Sequence, residues 1–176
     1  TNNSLNTIER LTDMDVERYL LGSSLEGIIS QRLARKVCPE CSIKRPTTDY
    51  ERQVFKTVLG KDVSEMVVAN KEGCPKCTHG YKGRLAILEV LVMNEKIKDA
   101  ITNGANKNTL RELVYTGDVV TLLQDGLNKV VLGETTFEEI LKIVDLENDM
   151  TQYNDDNLKT NLIMAQQAHK ADNKTN

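Results

Sequence analysis

Two pairs of cysteines are the part of this sequence whose residue types and spacing could do chemistry. Cys38 and Cys41 form one C-P-x-C pair, Cys74 and Cys77 form the other, and the chain has 4 cysteines in all. A C-x2-C pair supplies two thiolates from one tight turn, and zinc in structural sites prefers four soft, tetrahedral ligands. The sequence therefore predicts a metal site with these four cysteines as its ligands. Such a site is closed, so it leaves no open position for water or a substrate.

The pattern also allows other readings of the cysteines. Iron in a rubredoxin-like S4 site uses the same ligands, so the spacing leaves zinc and iron open. A thioredoxin-like redox motif has one C-x-x-C pair at the start of a helix, not two pairs. A disulfide framework is typical of small secreted chains, and nothing at the start of this chain resembles a signal peptide. His79 follows Cys77 closely and could replace a ligand, but we interpret it as a surface histidine or one that supports a ligand.

The composition narrows the class of protein. The chain has 176 residues, of which 39% are hydrophobic and 28% charged, as in a soluble globular protein. The net charge of −3 argues against a general polyanion binder. No apolar run approaches the roughly 20 residues of a membrane-spanning helix, and the longest, "LAILEVLVM", contains Glu89. The chain opens on Thr1 rather than Met, so we expect it to be a piece of a longer protein.

Known catalytic motifs are missing from the sequence. It contains no G-x-x-x-x-G-K-[ST] phosphate loop, no H-E-x-x-H and no G-x-S-x-G. We therefore expect no catalytic residues in this chain, and we predict that it is inactive as an enzyme on its own.

Residues 1–37 are predicted to form two helices. Ile8, Leu11 and Met14 have helical spacing in the first. The second is predicted to begin at the capping box Ser23-x-x-Glu26. Its apolar stripe consists of Leu25, Ile28, Ile29 and Leu33. Two helices of this size cannot close a core alone, so we expect them to pack on something outside this chain.

Residues 38–93 are predicted to form a tetracysteine zinc-binding subdomain. All 3 prolines of the chain fall within it. Between the cysteine pairs, "TDYERQVFKTVLG" predicts a short helix that ends at Gly60. The β-branched segments "SEMVVA" and "RLAILEVLVM" predict two strands that flank the second cysteine pair and pair with each other in an antiparallel hairpin.

Residues 94–146 are predicted to form a C-terminal helical subdomain. "NEKIKDAI" predicts one helix, and Asn106 or Asn108 is expected to cap the next. A third helix is predicted to end at Gly133, and a fourth to begin at the capping box Thr135-x-x-Glu138. The apolar positions that we interpret as core are Leu110, Leu113, Val114, Leu122, Leu123, Leu127, Val130, Val131, Phe137, Ile140, Leu141 and Val144. Residues 147–176 are polar and rich in Asn and Asp, so we predict a mostly disordered tail in which Leu158, Leu162 and Ile163 could anchor a weak helix.

The order of motifs resembles one protein family over residues 1 to about 145. The segments that carry the resemblance are "IERLTDMDVERYLLGSSLEGIISQRLARKVCPEC", "GCPKCTHGYKGRLAILEVL" and "LLQDGLNKVVLGETTFEEIL". Together they are similar to the C-terminal third of the type II secretion and type IV pilus assembly ATPases. The most specific parts are the two C-P-x-C pairs, Gly80-Tyr81-Lys82-Gly83-Arg84 and Gly133-x-Thr135-Thr136-x-Glu138-Glu139.

The resemblance implies a fold class and a site. The chain would be mainly α with a short antiparallel β-hairpin, a C-terminal fragment of a RecA-like P-loop ATPase that includes a tetracysteine zinc subdomain. Thr1-Asn2 would be the trailing edge of the family's histidine box, and Gln31-Arg32-Leu33 would belong to the last core helix. Cys38, Cys41, Cys74 and Cys77 match the family's tetracysteine zinc site one by one.

The resemblance also implies a function for the parent protein. Such proteins are homohexamers that hydrolyse ATP with Mg²⁺ in the cytoplasm, peripheral at the inner face of the plasma membrane. They drive an inner-membrane platform protein that adds subunits to a pilus or a pseudopilus. ATP and Mg²⁺ would bind only to the parent's other segments, and this chain would supply the structural zinc part. We expect the subdomain surface around Lys76, Lys82 and Arg84 to contact the platform protein.

A zinc-ribbon module that binds nucleic acid is the alternative function. Basic residues do cluster near the cysteines: Arg32, Arg35, Lys36, Lys44 and Arg45. However, the net charge is negative, Trp is absent and only 4% of residues are aromatic, so the chain has few side chains on which bases could stack. We therefore expect no nucleic acid as a partner.

Overall fold

The chain folds into helices around two antiparallel β-ladders, one long and one short. A computed structural model describes residues 3–144, 146–150, 153 and 156–172. The helices are α1 (Ser4–Asp13), α2 (Arg18–Ser24), α3 (Asp49–Leu59), α4 (Glu95–Thr102), α5 (Lys107–Tyr115), α6 (Leu122–Val131), α7 (Phe137–Ile143), α8 (Leu146–Asp149) and α9 (Asp156–Asp172). The strands are β1 (Gly27–Val37), β2 (Ile43–Pro46), β3 (Glu65–Val68) and β4 (Tyr81–Val92). About half of the chain is helical, which confirms the prediction of a mainly α protein with a small antiparallel sheet.

The long ladder pairs β1 with β4 and is the central element of the fold. Gly27 lies opposite Val92 and Arg35 lies opposite Arg84, and the register shifts between Arg35 and Val37. The second ladder pairs β2 with β3, with Ile43 opposite Val68. The segment from residue 38 to residue 80 therefore leaves the long ladder at one end and returns to it at the same end.

The prediction of a second helix at Ser23 is wrong. Helix α2 ends at Ser24, and Ile28, Ile29 and Leu33 of the apolar stripe lie in β1, as does Gln31-Arg32-Leu33. Burial in β1 does not follow a helical period: Ile28 and Ala34 are buried, whereas Ile29 and Leu33 are 71% and 53% exposed. This segment is a strand because its backbone N–H and C=O groups form hydrogen bonds with β4. The local sequence carries no signal for that pairing.

The predicted partner of the strand around "SEMVVA" is also wrong. This segment forms β3, but it pairs with β2 and not with the strand after the second cysteine pair. That strand, β4, pairs with β1 instead. Strand pairing over such sequence distances depends on the whole fold, so the β-branched residues indicated strands without identifying their partners.

The long ladder spans two hydrophobic cores. Ala34 and Ile87 contribute to a core with α3, α6, α7 and α9, in which Phe55 is fully buried. Ile28 and Leu91 contribute to a second core with α1, α4 and α5. The two strands therefore join the two halves of the molecule along their length.

The predicted helices after the first cysteine pair are confirmed, with shifts at their ends. Helix α3 has a capping box between Thr48 and Glu51, and Gly60 follows it in the left-handed conformation. Asn106 caps α5. Thr136, not Thr135, caps α7, because the Thr135 hydroxyl donates a hydrogen bond to the Arg35 carbonyl oxygen at 2.8 Å. Of the positions expected to be core, Val131 is 39% exposed.

The predicted disorder after residue 146 is wrong over Asp156–Asp172, which forms α9. Leu158 and Leu162 are fully buried in the core with α7, as anchors of the kind that the sequence indicated. The Gln166 side-chain amide donates to the Leu141 carbonyl oxygen at 2.7 Å and to that of Val144 at 2.9 Å, at the end of α7. These carbonyl groups lack partners inside α7, so α9 satisfies them.

Other parts of the predicted tail, residues 151–152, 154–155 and 173–176, lie outside the described residues, as does Thr1-Asn2. The Tyr153 hydroxyl, between α8 and α9, donates to the Val58 carbonyl oxygen at 3.1 Å and accepts from the Gln124 amide at 2.9 Å. The tail therefore contacts α3 and α6 as well as α7. The division of the chain into segments 1–37, 38–93, 94–146 and 147–176 stays a prediction.

A polar contact joins the long ladder to α7. The Arg35 guanidinium pairs with the Glu139 carboxylate and lies 4.0 Å from the centre of the Tyr81 ring. The Tyr81 hydroxyl is 3.0 Å from the Thr136 hydroxyl oxygen. Burial acts to raise the pKa of Glu139, but the hydrogen bond and charge of Arg35 outweigh it, so this pKa lies below its ordinary value of 4.5.

We predict that Leu162→Ala lowers the free energy of unfolding by about 2–5 kcal/mol, because it leaves a cavity under α9. Urea denaturation followed by circular dichroism measures this change. Met164 lies on the same helix with 62% of its surface exposed, so Met164→Ala should change stability by less than about 0.5 kcal/mol. Equal, small effects of the two substitutions would show that α9 does not dock on the core.

We predict that Glu139→Gln costs about 1 kcal/mol at neutral pH, because the half-exposed Arg35 loses its charged partner. The lowered pKa of Glu139 stabilises the fold above its ordinary pKa of 4.5, and this contribution disappears as the pH falls through the folded-state pKa. Urea denaturation between pH 7 and pH 3 should therefore show the variant approaching the wild type in acid. A constant difference across this range would contradict the assignment.

Candidate metal centre

The two cysteine pairs lie together at one end of the long ladder. Cys38 directly follows β1, and Cys74 and Cys77 come just before β4. The Cys38 N–H donates to the Gly80 carbonyl oxygen at 2.8 Å, which continues the contact between the two strands past their ends. The turn of the first cysteine pair leads into β2, and the turn of the second pair follows β3. The cysteines therefore lie where the two ladders meet.

The four sulfur atoms form one compact cluster. All four Sγ atoms lie within 4.8 Å of one another. The Sγ atoms of Cys38 and Cys74 are 3.9 Å apart, and those of Cys41 and Cys77 are 3.7 Å apart. Four sulfurs at tetrahedral positions, each about 2.3 Å from a zinc ion, would be about 3.8 Å from one another. The spacing thus suits a tetrahedral S4 metal site.

Backbone hydrogen bonds shape the two turns. The Ser42 N–H donates to the Cys38 carbonyl oxygen at 3.0 Å, and the Cys77 N–H donates to that of Cys74 at 3.1 Å. The Cys74 N–H points at the Cys77 sulfur, 3.2 Å away. Gly80 has φ +79°, and a Cβ atom there would lie 2.4 Å from the Asn70 carbonyl oxygen, so only glycine fits beside this turn.

The protonation of the thiols depends on these contacts. Desolvation, together with hydrogen bonds to the neighbouring sulfurs, raises the pKa of Cys41 to about 12. Desolvation also acts to raise the pKa of Cys77, but hydrogen bonds from the backbone and side chain of Cys74 and the backbone of Gly80 lower it to about 7. The surroundings of Cys77 thus favour its thiolate, whereas those of Cys41 favour its thiol. A bound metal ion would displace the proton of Cys41, because metal ions bind thiolates.

The surroundings of the cluster are half-buried and mixed in charge. Cys38 is fully buried, and the other three cysteines are partly exposed. His79 has a left-handed backbone with φ 48°, and within the described part of the chain it does not join the sulfur cluster. Lys76 of the second turn pairs with Glu40 of the first at 3.2 Å. Lys82 and Arg84 are exposed at the start of β4.

The sequence indicated the four cysteines but not the residues that support them. Tyr81 and Thr136 lie in separate sequence motifs, and the structure brings them into contact through their hydroxyl groups. The sequence carried no signal for the contact of Arg35 with Glu139, which lie about a hundred positions apart along the chain. Glu89, the one charge in an apolar run, was visible as an exception and is fully buried.

Among the helices of the described residues, none combines the length and the hydropathy that crossing a membrane would require.

The comparisons with known proteins agree on one family. Residues 1–142 match the profile of the family described as "Type II/IV secretion system protein". The chain is 35% identical over 144 residues to "Type II secretion system protein E" of Aeromonas hydrophila, and 36% identical over 144 residues to "Putative type II secretion system protein E" of Escherichia coli. It is 37% identical over 146 residues to "Type IV pilus assembly ATPase PilB" of Thermus thermophilus.

These matches cover most of this chain but only part of the relatives. They span 81% of this chain and 28% of the two secretion proteins, and 80% of this chain and 16% of the pilus ATPase. The relatives are secretion and pilus proteins, so the comparison does not favour the alternative of a nucleic-acid-binding module. With the family profile matched over residues 1–142, the chain belongs to the type II/IV secretion system protein family.

Proposed function

We propose that this chain is the C-terminal zinc-binding and helical part of a hexameric ATPase that powers type IV pilus assembly or type II protein secretion. The observation that carries the proposal is the cluster of four Sγ atoms within 4.8 Å of one another, in a chain of this family. The names of two relatives support the motor function: "Type IV pilus assembly ATPase PilB" and "Type II secretion system ATPase E".

In this proposal Cys38, Cys41, Cys74 and Cys77 hold one Zn²⁺ ion. The ion supplies four metal–thiolate bonds and no reaction, because four protein ligands leave no open position. Its effect would be to fix the end of the long ladder to the start of the short one. Zinc binding is worth on the order of 10 kcal/mol in zinc-finger peptides, which is large against the stability of a small subdomain.

ATP hydrolysis belongs to other segments of the parent protein in this proposal. Those segments would form a RecA-like core with the phosphate loop, and they would bind ATP and Mg²⁺. The present chain would contribute structure and contacts. Two residues at its metal-bearing end, Lys82 and Arg84, are exposed. We propose that this surface contacts the inner-membrane platform protein, while the parent works as a homohexamer in the cytoplasm, at the inner face of the plasma membrane.

We predict that the protein, purified without added zinc, contains one zinc ion per chain by elemental analysis. Its four thiols should react with a thiol reagent only after denaturation or chelation. Cys41→Ser should release the metal and lower the melting temperature, because three ligands remain.

The matched control is His79→Asn, since asparagine also tolerates the left-handed conformation of this residue. This variant should keep its zinc. Four reactive thiols and no metal in folded wild-type protein would contradict the proposed zinc site, and one iron ion per chain would replace zinc by iron.

We predict that the longer parent protein hydrolyses ATP in the presence of Mg²⁺ and that this chain alone does not. In the parent, Lys82→Glu should leave ATP turnover unchanged and reduce pilus or pseudopilus assembly in cells, because it reverses charge at the proposed platform contact.

Lys96→Glu is the control for charge reversal, since Lys96 is exposed on α4, which packs in the second core. Turnover by this chain alone, or absence of turnover in the parent, would refute the motor assignment. Normal assembly with Lys82→Glu would refute only the platform contact.

A further inference from the structure

A cavity of about 540 Å³ lies at the cysteine end of the long ladder and opens to solvent. Its lining residues are Arg35, Thr78, Tyr81, Gly83 and Arg84. The four cysteines all belong to the described part of the chain, and none of them lines this cavity. The cavity is therefore a separate feature from the candidate metal centre.

Two arginines from the two strands meet in this cavity. Arg35 of β1 lies directly opposite Arg84 of β4 in the ladder. The side chains of directly opposite residues lie on the same face of a sheet, with Cα atoms about 4.5–5.5 Å apart. Like charges at such positions repel each other and destabilise the pair. An anion between the two guanidinium groups would convert this repulsion into attraction.

The Arg35 side chain is held in place by the fold. Its guanidinium pairs with the Glu139 carboxylate and lies 4.0 Å from the centre of the Tyr81 ring. The Tyr81 hydroxyl is in turn 3.0 Å from the Thr136 hydroxyl oxygen. The Arg35 side chain is nevertheless 46% exposed, so a ligand in the cavity can reach it. A guanidinium that is already positioned loses little conformational entropy when it binds.

The acidic groups near the cavity leave an excess of positive charge. The Glu139 carboxylate is shared between Arg35 and Lys142, whose Nζ lies 3.4 Å from Oε1. Glu138 also acts electrostatically on Arg35. Arg84 forms no ion pair with any residue that the structure describes. Its charge is therefore available to a ligand.

The chemistry of the lining favours a phosphate group over a carboxylate. Each guanidinium presents N–H donors in a planar fork that matches two oxygens of one anion. Two forks can be satisfied together by the several oxygens and the double charge of a phosphate, whereas a carboxylate has two oxygens and one charge. The exposed Thr78 hydroxyl is a further donor, and the exposed Lys82 adds positive charge nearby.

We propose that Arg35 and Arg84 bind a phosphate group in this cavity. Arg84 binds it through a bidentate pair of hydrogen bonds, and Arg35 binds it through N–H groups that Glu139 does not use. The Thr78 hydroxyl gives an additional contact. The group belongs either to free inorganic phosphate or to a lipid headgroup, two sources that share this chemistry. The site does not depend on the proposed function or on the proposed platform contact.

The test is a titration of the 176-residue chain with inorganic phosphate at neutral pH and constant ionic strength, followed by ¹H–¹⁵N NMR. We expect saturable shifts of the backbone amides of Thr78, Gly83 and Arg84. Arg84→Gln should weaken phosphate binding by about tenfold or more, because it removes a charged, bidentate contact. Arg84→Lys should have an intermediate affinity, because it keeps the charge but loses the fork.

Arg10→Gln is the matched control, since Arg10 is exposed on α1, which packs in the second core. This variant should bind phosphate as the wild type does. Shifts that do not saturate, or equal effects of Arg10→Gln and Arg84→Gln, would overturn the inference.

Acetate provides a test on the wild type alone, which decides the matter even if Arg84→Gln does not fold. At the same concentration and ionic strength, acetate should produce no saturable shift of the Thr78 and Gly83 amides. Binding of acetate as tight as that of phosphate would show a general anion surface and overturn the assignment to phosphate.

Vesicles distinguish the two sources of the phosphate group. Cosedimentation with vesicles of phosphatidic acid and phosphatidylcholine, lost in Arg84→Gln and absent with phosphatidylcholine alone, would identify a lipid headgroup. Saturable binding of inorganic phosphate without cosedimentation would identify free phosphate. Binding of neither would refute the site and leave the proposed zinc site and motor function untouched.

Discussion

The pairing of β1 with β4 is the constraint on which the rest of this structure depends. The two strands hold both hydrophobic cores together, because Ala34 and Ile87 belong to one core and Ile28 and Leu91 to the other. Bringing them together closes a long loop, which costs conformational entropy that local contacts do not repay. The loop carries both cysteine pairs. They meet because the ladder brings the two ends of this loop side by side.

A metal ion bound by the four sulfurs would reinforce this closure where apolar contacts are few. Apart from Cys38, the residues of the two turns are exposed or only partly buried, so burial supplies little stability there. The contact of Arg35 with Glu139 and of Tyr81 with Thr136 attaches the same end of the ladder to α7. The end that carries the cysteines is thus joined to the helical half by side chains from two motifs that are distant in sequence.

The half of the ladder that lies away from the cysteines has an exposed apolar face and a buried charge. On its open face Ile29, Val90 and Val92 are 71%, 46% and 72% exposed, and on its other face the buried Glu89 contacts the first residue of α1. In a family whose relatives are several times longer than this chain, the two ends of one ladder can serve two tasks. One end brings the four cysteines together, and the other contacts the start of α1.

The sequence by itself determined which four cysteines form the cluster and where most of the later helices lie. Cys38, Cys41, Cys74 and Cys77 were identifiable because ligand chemistry requires that residue type at that spacing, and α3 because its apolar period, its cap and Gly60 are local signals. Only the tertiary structure decided that Ile28 to Leu33 lie in a strand and that Leu158 and Leu162 anchor a helix. In the first case the hydrogen bonds come from β4, more than fifty residues away, and in the second the burial comes from α7. The local sequence of β1 does not indicate its pairing with β4, and that of α9 does not indicate its packing on α7. Pairing and burial are properties of the folded chain.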